Sequence, residues 1–100
     1  MRLKTHVTAS ALIRRAQAMG LFATVMHRGD PDGGVLWIKV RDARTAALWA
    51  ERYEGGFGLR TDGFVDEGEA DGMIVRERDF DRDLWLIEIE GADGAALLAD

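Results

Sequence analysis

The stretch VLWIKVRDARTAALWAERY, Val35 to Tyr53, decides the fold. Its first part, Val35–Val40, is rich in β-branched and aromatic residues and reads as a strand. Arg41–Thr45 is mostly polar and reads as a loop. Ala46–Tyr53 turns apolar again and reads as the returning strand, so the whole predicts an antiparallel hairpin. A loop symmetric about Ala43 places Trp37 opposite Trp49 and Ile38 opposite Leu48. Leu36, Ile38, Val40, Leu48 and Ala50 then share one face. Val35, Trp37, Lys39, Ala47, Trp49 and Glu51 share the other.

Upstream, Leu3, Thr5 and Val7 alternate with Lys4 and His6, a short strand pattern. Thr8 is placed to cap a helix over Ala9–Met19. There Ala9, Leu12, Ile13, Ala16 and Met19 form one stripe, and Ser10, Arg14 and Gln17 lie opposite. Gly20 stands where a helix C-terminal glycine belongs. Phe22–Arg28 is the next strand. Gly29-Asp30-Pro31-Asp32-Gly33-Gly34 is turn chemistry, and it leads back into Val35. The expectation is a meander of hairpins, with the first helix under the Leu36/Ile38 face and Met26 on the Trp face.

Downstream, Glu54–Asp66 is glycine-rich, with a short strand at Phe57–Arg60. Asp66–Arg78 reads as a second helix with an acidic first turn, which suits the helix dipole. Its inner stripe is Ala70, Met73, Ile74 and Glu77. Leu84–Glu90 is a strand with Trp85 in its core. Asp93-Gly94 predicts a turn into Ala95–Leu98. The fold expected is α+β: a mostly antiparallel sheet with two helices, in the order β-α-β-β-β-(β)-α-β.

The chain has 100 residues, 47% of them hydrophobic, which is enough for one core and one domain over residues 1–100. It has no cysteine, so disulfides and thiolate chemistry are excluded. No secretory leader and no membrane span is expected, since Arg14 and Arg15 interrupt the best apolar run. The expected location is the cytoplasm. Net charge is -5. Residues 1–50 carry eight Lys/Arg and three Asp/Glu, and residues 51–100 carry five and fifteen. The halves therefore differ in sign. Either their charges intermix in the fold, or two copies pair acidic surface to basic surface.

The residues that could carry chemistry are few. Asp79, Asp81, Asp83 and Glu90 match positions 1, 3, 5 and 12 of a calcium loop. Position 6 needs glycine and is Leu84, and Glu90 sits at the far end of a strand, roughly 20 Å from Asp83. An acidic connector between helix and strand explains the same residues. A paired-carboxylate-and-lysine metal site needs acids converging on a lysine. The lysines are Lys4 and Lys39, and Trp37 stands two places before Lys39 where such a site wants an acid. His6, His27 and Ser10 assemble no triad. Gly55-Gly56-Phe57-Gly58 lacks the lysine of a phosphate loop. Arg14 and Arg15, with Arg2, Lys4 and Arg28, make at most a small basic patch, so nucleic acid is disfavoured. Trp37, Trp49 and Met26 are either an open sheet face suited to a partner or core beneath the second helix.

The run MRLKTHVTASALIRRAQAMGLFATVMHRGDPDGGVLWIKV resembles the start of a family of short bacterial proteins grouped as domain of unknown function 1491. The run RERDFDRDLWLIEIE is similar to that family's C-terminal signature, a helix end followed by an Asp-Leu-Trp strand. Together they cover more than half the chain. Glu54–Gly72 does not match clearly, and Gly91–Asp100 departs from the pattern. The resemblance implies a small bacterial cytosolic protein and brings no activity with it.

Two classes of function follow. The first is a non-enzymatic interaction module that self-associates or takes a protein partner through the Trp37/Trp49/Met26 face, with no cofactor. The second is a metal-dependent or small-ligand enzyme using Asp79, Asp81 and Asp83.

Overall fold

A computed structural model describes residues 4–99. The first helix, α1, spans Thr5–Ala18. Strands β1 (Phe22–His27), β2 (Leu36–Asp42), β3 (Thr45–Glu51), β4 (Phe57–Leu59) and β5 (Val65–Asp66) follow. The second helix, α2, is Glu67–Phe80, and strand β6 is Trp85–Glu90. A 3₁₀ turn, Ala92–Leu97, replaces the hairpin expected at Asp93-Gly94.

The fold is α+β, with a mixed, mostly antiparallel sheet in the order β1-β6-β2-β3-β4 and β5 beside β3. The parallel pair is β2 with β6. The expected meander is corrected here, because β6 lies between β1 and β2 and pairs with both. The reason is burial. Leu84–Ile87 are apolar and buried on both sides of the strand, and Ile89 is buried too; such a segment belongs in the middle of a sheet, with layers above and below it.

The first helix begins earlier than expected. Thr5–Val7 is helical rather than extended, and Thr8 lies inside the helix; Leu3 lies outside the described residues. Three alternating residues are too few to hold a strand without a partner. Here the chain docks on the turn instead. The Thr5 hydroxyl donates to the Gly34 carbonyl and the His6 N–H to that of Pro31. At the other end Gly20 adopts φ +79°, as a helix-ending glycine does.

The β2–β3 register is also corrected. Both strands run further into the turn than expected, leaving Ala43 and Arg44 as the loop, while β2 starts at Leu36 rather than Val35 and β3 ends at Glu51 rather than Tyr53. The ladder pairs Ile38 with Trp49 and Trp37 with Ala50. That is one residue from the symmetric-loop expectation, and a one-residue shift moves a whole strand's side chains to the opposite face. Trp49 therefore joins the α1 side, with Leu36, Ile38, Val40, Trp85, Ile87 and Ile89. Leu48 moves to the α2 side, with Trp37, Ala46, Leu86, Ala70 and Ile74. Helices cover both faces, in three layers.

Candidate interaction surface

Behind the α2 side of the sheet lies an ionic network. Lys39 points from β2 toward the first turns of α2, and it is buried. Its Nζ donates to Glu67 Oε2 at 2.6 Å and to Asp71 Oδ1 at 2.8 Å, with Glu88 Oε2 at 4.0 Å. Glu67 and Asp71 are four apart on one helix, so both reach the same point. Arg41 donates from Nε to Glu88 at 2.9 Å and from Nη2 to Glu90. Two cations and four carboxylates thus tie β2, β6 and α2 together.

Burial disfavours the charge on Lys39, but the hydrogen bonds to Asp71 and Glu67 and the fields of Asp71 and Glu88 outweigh it. The ammonium is held above the ordinary lysine value. The Lys39 hydrogen bond in turn holds Glu67 below the usual carboxylate range, against its own partial desolvation. Hydrogen bonds to Glu88 and Glu90 raise Arg41 further. A lysine held protonated offers no lone pair to act as base or nucleophile, and its ammonium fills the space between the carboxylates. Among the described residues no group of three His, Cys, Asp or Glu is placed to hold a metal ion.

The other predicted residues scatter. Trp37 is 4% exposed under α2, with Arg60 stacked 5.4 Å from its ring centre. Trp49 lies on the opposite face of the sheet, so no shared Trp face forms. Asp79, Asp81 and Asp83 are not brought together. Asp81 Oδ1 accepts the Asp83 N–H at 3.0 Å, a local turn, while Asp79 ends α2 beside Arg78 and Arg82. Arg14 and Arg15 are exposed on α1. Their expected companions are engaged elsewhere: Lys4 pairs with Asp32 at 3.6 Å, and Arg28 stacks over Trp85 at 5.2 Å. Arg2 lies outside the described residues.

Met26 alone of the predicted trio is open, at 55% exposure, and it stands on β1. This strand closes one side of the sheet, with β6 as its ladder partner. Its inner neighbours Ala23 and Val25 pack toward α1. Phe22, Thr24 and Met26 face the other way, lining a shallow hollow of about 220 Å³ with Glu88 and Glu90. Phe22 is 76% exposed. A bulge between Val25 and His27 adds one residue to β1, so Met26 and His27 both turn to the α2 side. His27 there lines a second hollow, about 380 Å³, with Val75, Arg78, Asp79 and Arg82. The opposite edge, β4, is only three residues long. Phe22 was missed in the sequence because an alternating strand with one free edge looks the same as one paired on both sides.

The chain is similar over its whole length to solved structures. One is a crystal structure of a DUF1491 family protein from Caulobacter crescentus CB15, 35% identical, with a TM-score of 0.86 over 100% of this chain and 97% of that one. Another is the solution structure of protein Atu0922 from A. tumefaciens, 34% identical, with a TM-score of 0.85 over 98% of this chain and 93% of that one. No curated protein matches. The family model described as a protein of unknown function, DUF1491, matches residues 3–99, and the chain belongs to that family.

Proposed function

We propose that this protein is a small non-enzymatic interaction module whose contact surface is the outer edge of β1. The observation that carries the reading is the place of β1 at the end of the sheet, six residues long, with Phe22 and Met26 exposed and, among the described residues, no strand paired to its outer edge. An edge strand of this kind is a template for a further strand, and its unpaired N–H and C=O groups supply the bonds. Exposed Phe and Met are residue types enriched at protein interfaces. A cysteine-free composition supports a cytoplasmic location for it. No helix among the described residues is long and apolar enough to cross a membrane.

The test is a photo-crosslinking amino acid placed at Phe22 and, as control, at Ala11 on the exposed side of α1, with irradiation in cells. A discrete adduct from the Phe22 probe and none from Ala11 is the expected result. Equal labelling from both positions, or none from Phe22, removes β1 as the contact surface.

A further inference from the structure

We infer that the partner taken by β1 is a second copy of this chain, paired β1 to β1 antiparallel about Thr24. The inference rests on the reading of β1 as the contact surface and adds the identity of the partner and the register.

The strand is self-complementary in this arrangement. Phe22, Thr24 and Met26 line one hollow. Antiparallel pairing about Thr24 sets Phe22 across from the partner's Met26, twice by symmetry, and Ala23 across from the partner's Val25. Aromatic and thioether groups make favourable cross-strand contacts. The two-fold relation is the commonest one in homo-oligomers and needs one patch to match itself.

Charge points to the same arrangement. Glu90 stands across the ladder from Phe22 and Glu88 across from Thr24; both accept from Arg41, within a network whose four carboxylates outnumber its two cations and leave the Phe22 end net negative. The Met26 end carries Arg78, Arg82 and His27 around the single Asp79. Both groups lie on the α2 side of the sheet. A two-fold axis through Thr24 turns each acidic end toward the other copy's basic end, and complementary ends of this kind fix register. A heterologous strand would need its own acid and base at matching places; a second copy has them by construction. The bulge at Met26 ends the regular ladder, so the pairing is short. A short pairing makes a weak interface, so the dimer forms with rising concentration.

The chain has no cysteine, which makes a direct test possible. Residues facing each other across an antiparallel pair have Cα atoms about 4.5–5.5 Å apart, within disulfide range. Thr24 is exposed, so Thr24→Cys is compatible with the fold. Under mild oxidation Thr24→Cys should form a linked dimer at least tenfold faster in native buffer than in urea, and tenfold faster than Ala11→Cys. Adding Arg78→Glu and Arg82→Glu should slow the linkage by a similar factor. Linkage of Thr24→Cys no faster than of Ala11→Cys overturns the inference. Unchanged linkage in the charge-reversed variant overturns the acid-on-base register. If Thr24→Cys fails while the Phe22 probe captures a different protein, the contact surface stands and only the second copy is lost. If both fail, so does the reading of β1.

Discussion

Ile38 stands directly across from Trp49 in the β2–β3 ladder. That pairing separates the two tryptophans of the hairpin onto opposite faces and puts Trp37 under α2. Trp37→Lys should therefore unfold the domain rather than disarm a surface. Losing a buried tryptophan costs about 3–5 kcal/mol, and the buried charge adds to it. Trp49→Lys, at a half-buried place, should cost clearly less. Urea melts of the two variants check this; equal midpoints would contradict the register.

The turn that sets this register holds Ala43 at φ +54°. A side chain there costs roughly 1–2 kcal/mol relative to glycine, and the unfolded state returns about 0.4–1 kcal/mol in favour of alanine. Ala43→Gly should raise stability by about 0.5 kcal/mol. Ala43→Val should lower it, since a β-branched residue fits positive φ worse still. Thermal denaturation of the pair reads the sign directly.

Gly29 and Gly34 meet at one atom. A Cβ on Gly29 would lie 1.9 Å from the Asp83 carbonyl oxygen, and one on Gly34 would lie 2.1 Å from it. The same oxygen accepts the Asp30 N–H at 3.1 Å. The β1–β2 loop thus packs backbone to backbone on the entry to β6. Gly29→Ala or Gly34→Ala should each cost about 2 kcal/mol or more, because the obstacle is main chain and cannot rotate away. Chemical denaturation measures it. A loss no larger than that of Gly33→Ala would contradict the close approach.

The Lys39 network sets a pH dependence with two edges. Glu67 is held below its ordinary pKa. Its contribution is whole above the unfolded value of about 4.3 and is lost as pH falls through the folded pKa. Lys39 is held above its ordinary pKa. Its contribution is whole below the unfolded value of about 10.4 and is lost as pH rises through the folded pKa. Lys39→Met should flatten both edges while keeping the stem packed. Lys39→Ala should cost about 3 kcal/mol near neutral pH, the low end for breaking a buried pair, since Asp71 is half exposed. Melting temperature against pH for the three proteins checks this.

Much of the architecture could be read from local pattern. The apolar stripe Ala9, Leu12, Ile13, Ala16, the Gly20 stop, α2 and the Leu84–Glu90 strand all depend on periodicity and capping, which are written in neighbouring residues. What failed depends on long-range choices. Strand order turned on where the twice-buried β6 would insert. The Trp faces turned on a single residue of register in the β2–β3 ladder. The partners of Lys39 lie 28 to 49 places along the chain, on α2 and β6, and nothing near Lys39 signals them. Met26 was found as an exposed residue through a face that did not form, and Phe22 became visible once β1 proved to be an edge.

Self-association through β1 is read by molar mass from light scattering, over a wide concentration range up to millimolar, for the wild type beside Phe22→Lys. Phe22 is 76% exposed, so the variant should fold as the wild type does. The wild type should rise from 11.1 kDa toward twice that mass while Phe22→Lys stays at 11.1 kDa. A wild type that remains monomeric throughout, or a variant that dimerises equally, would contradict it.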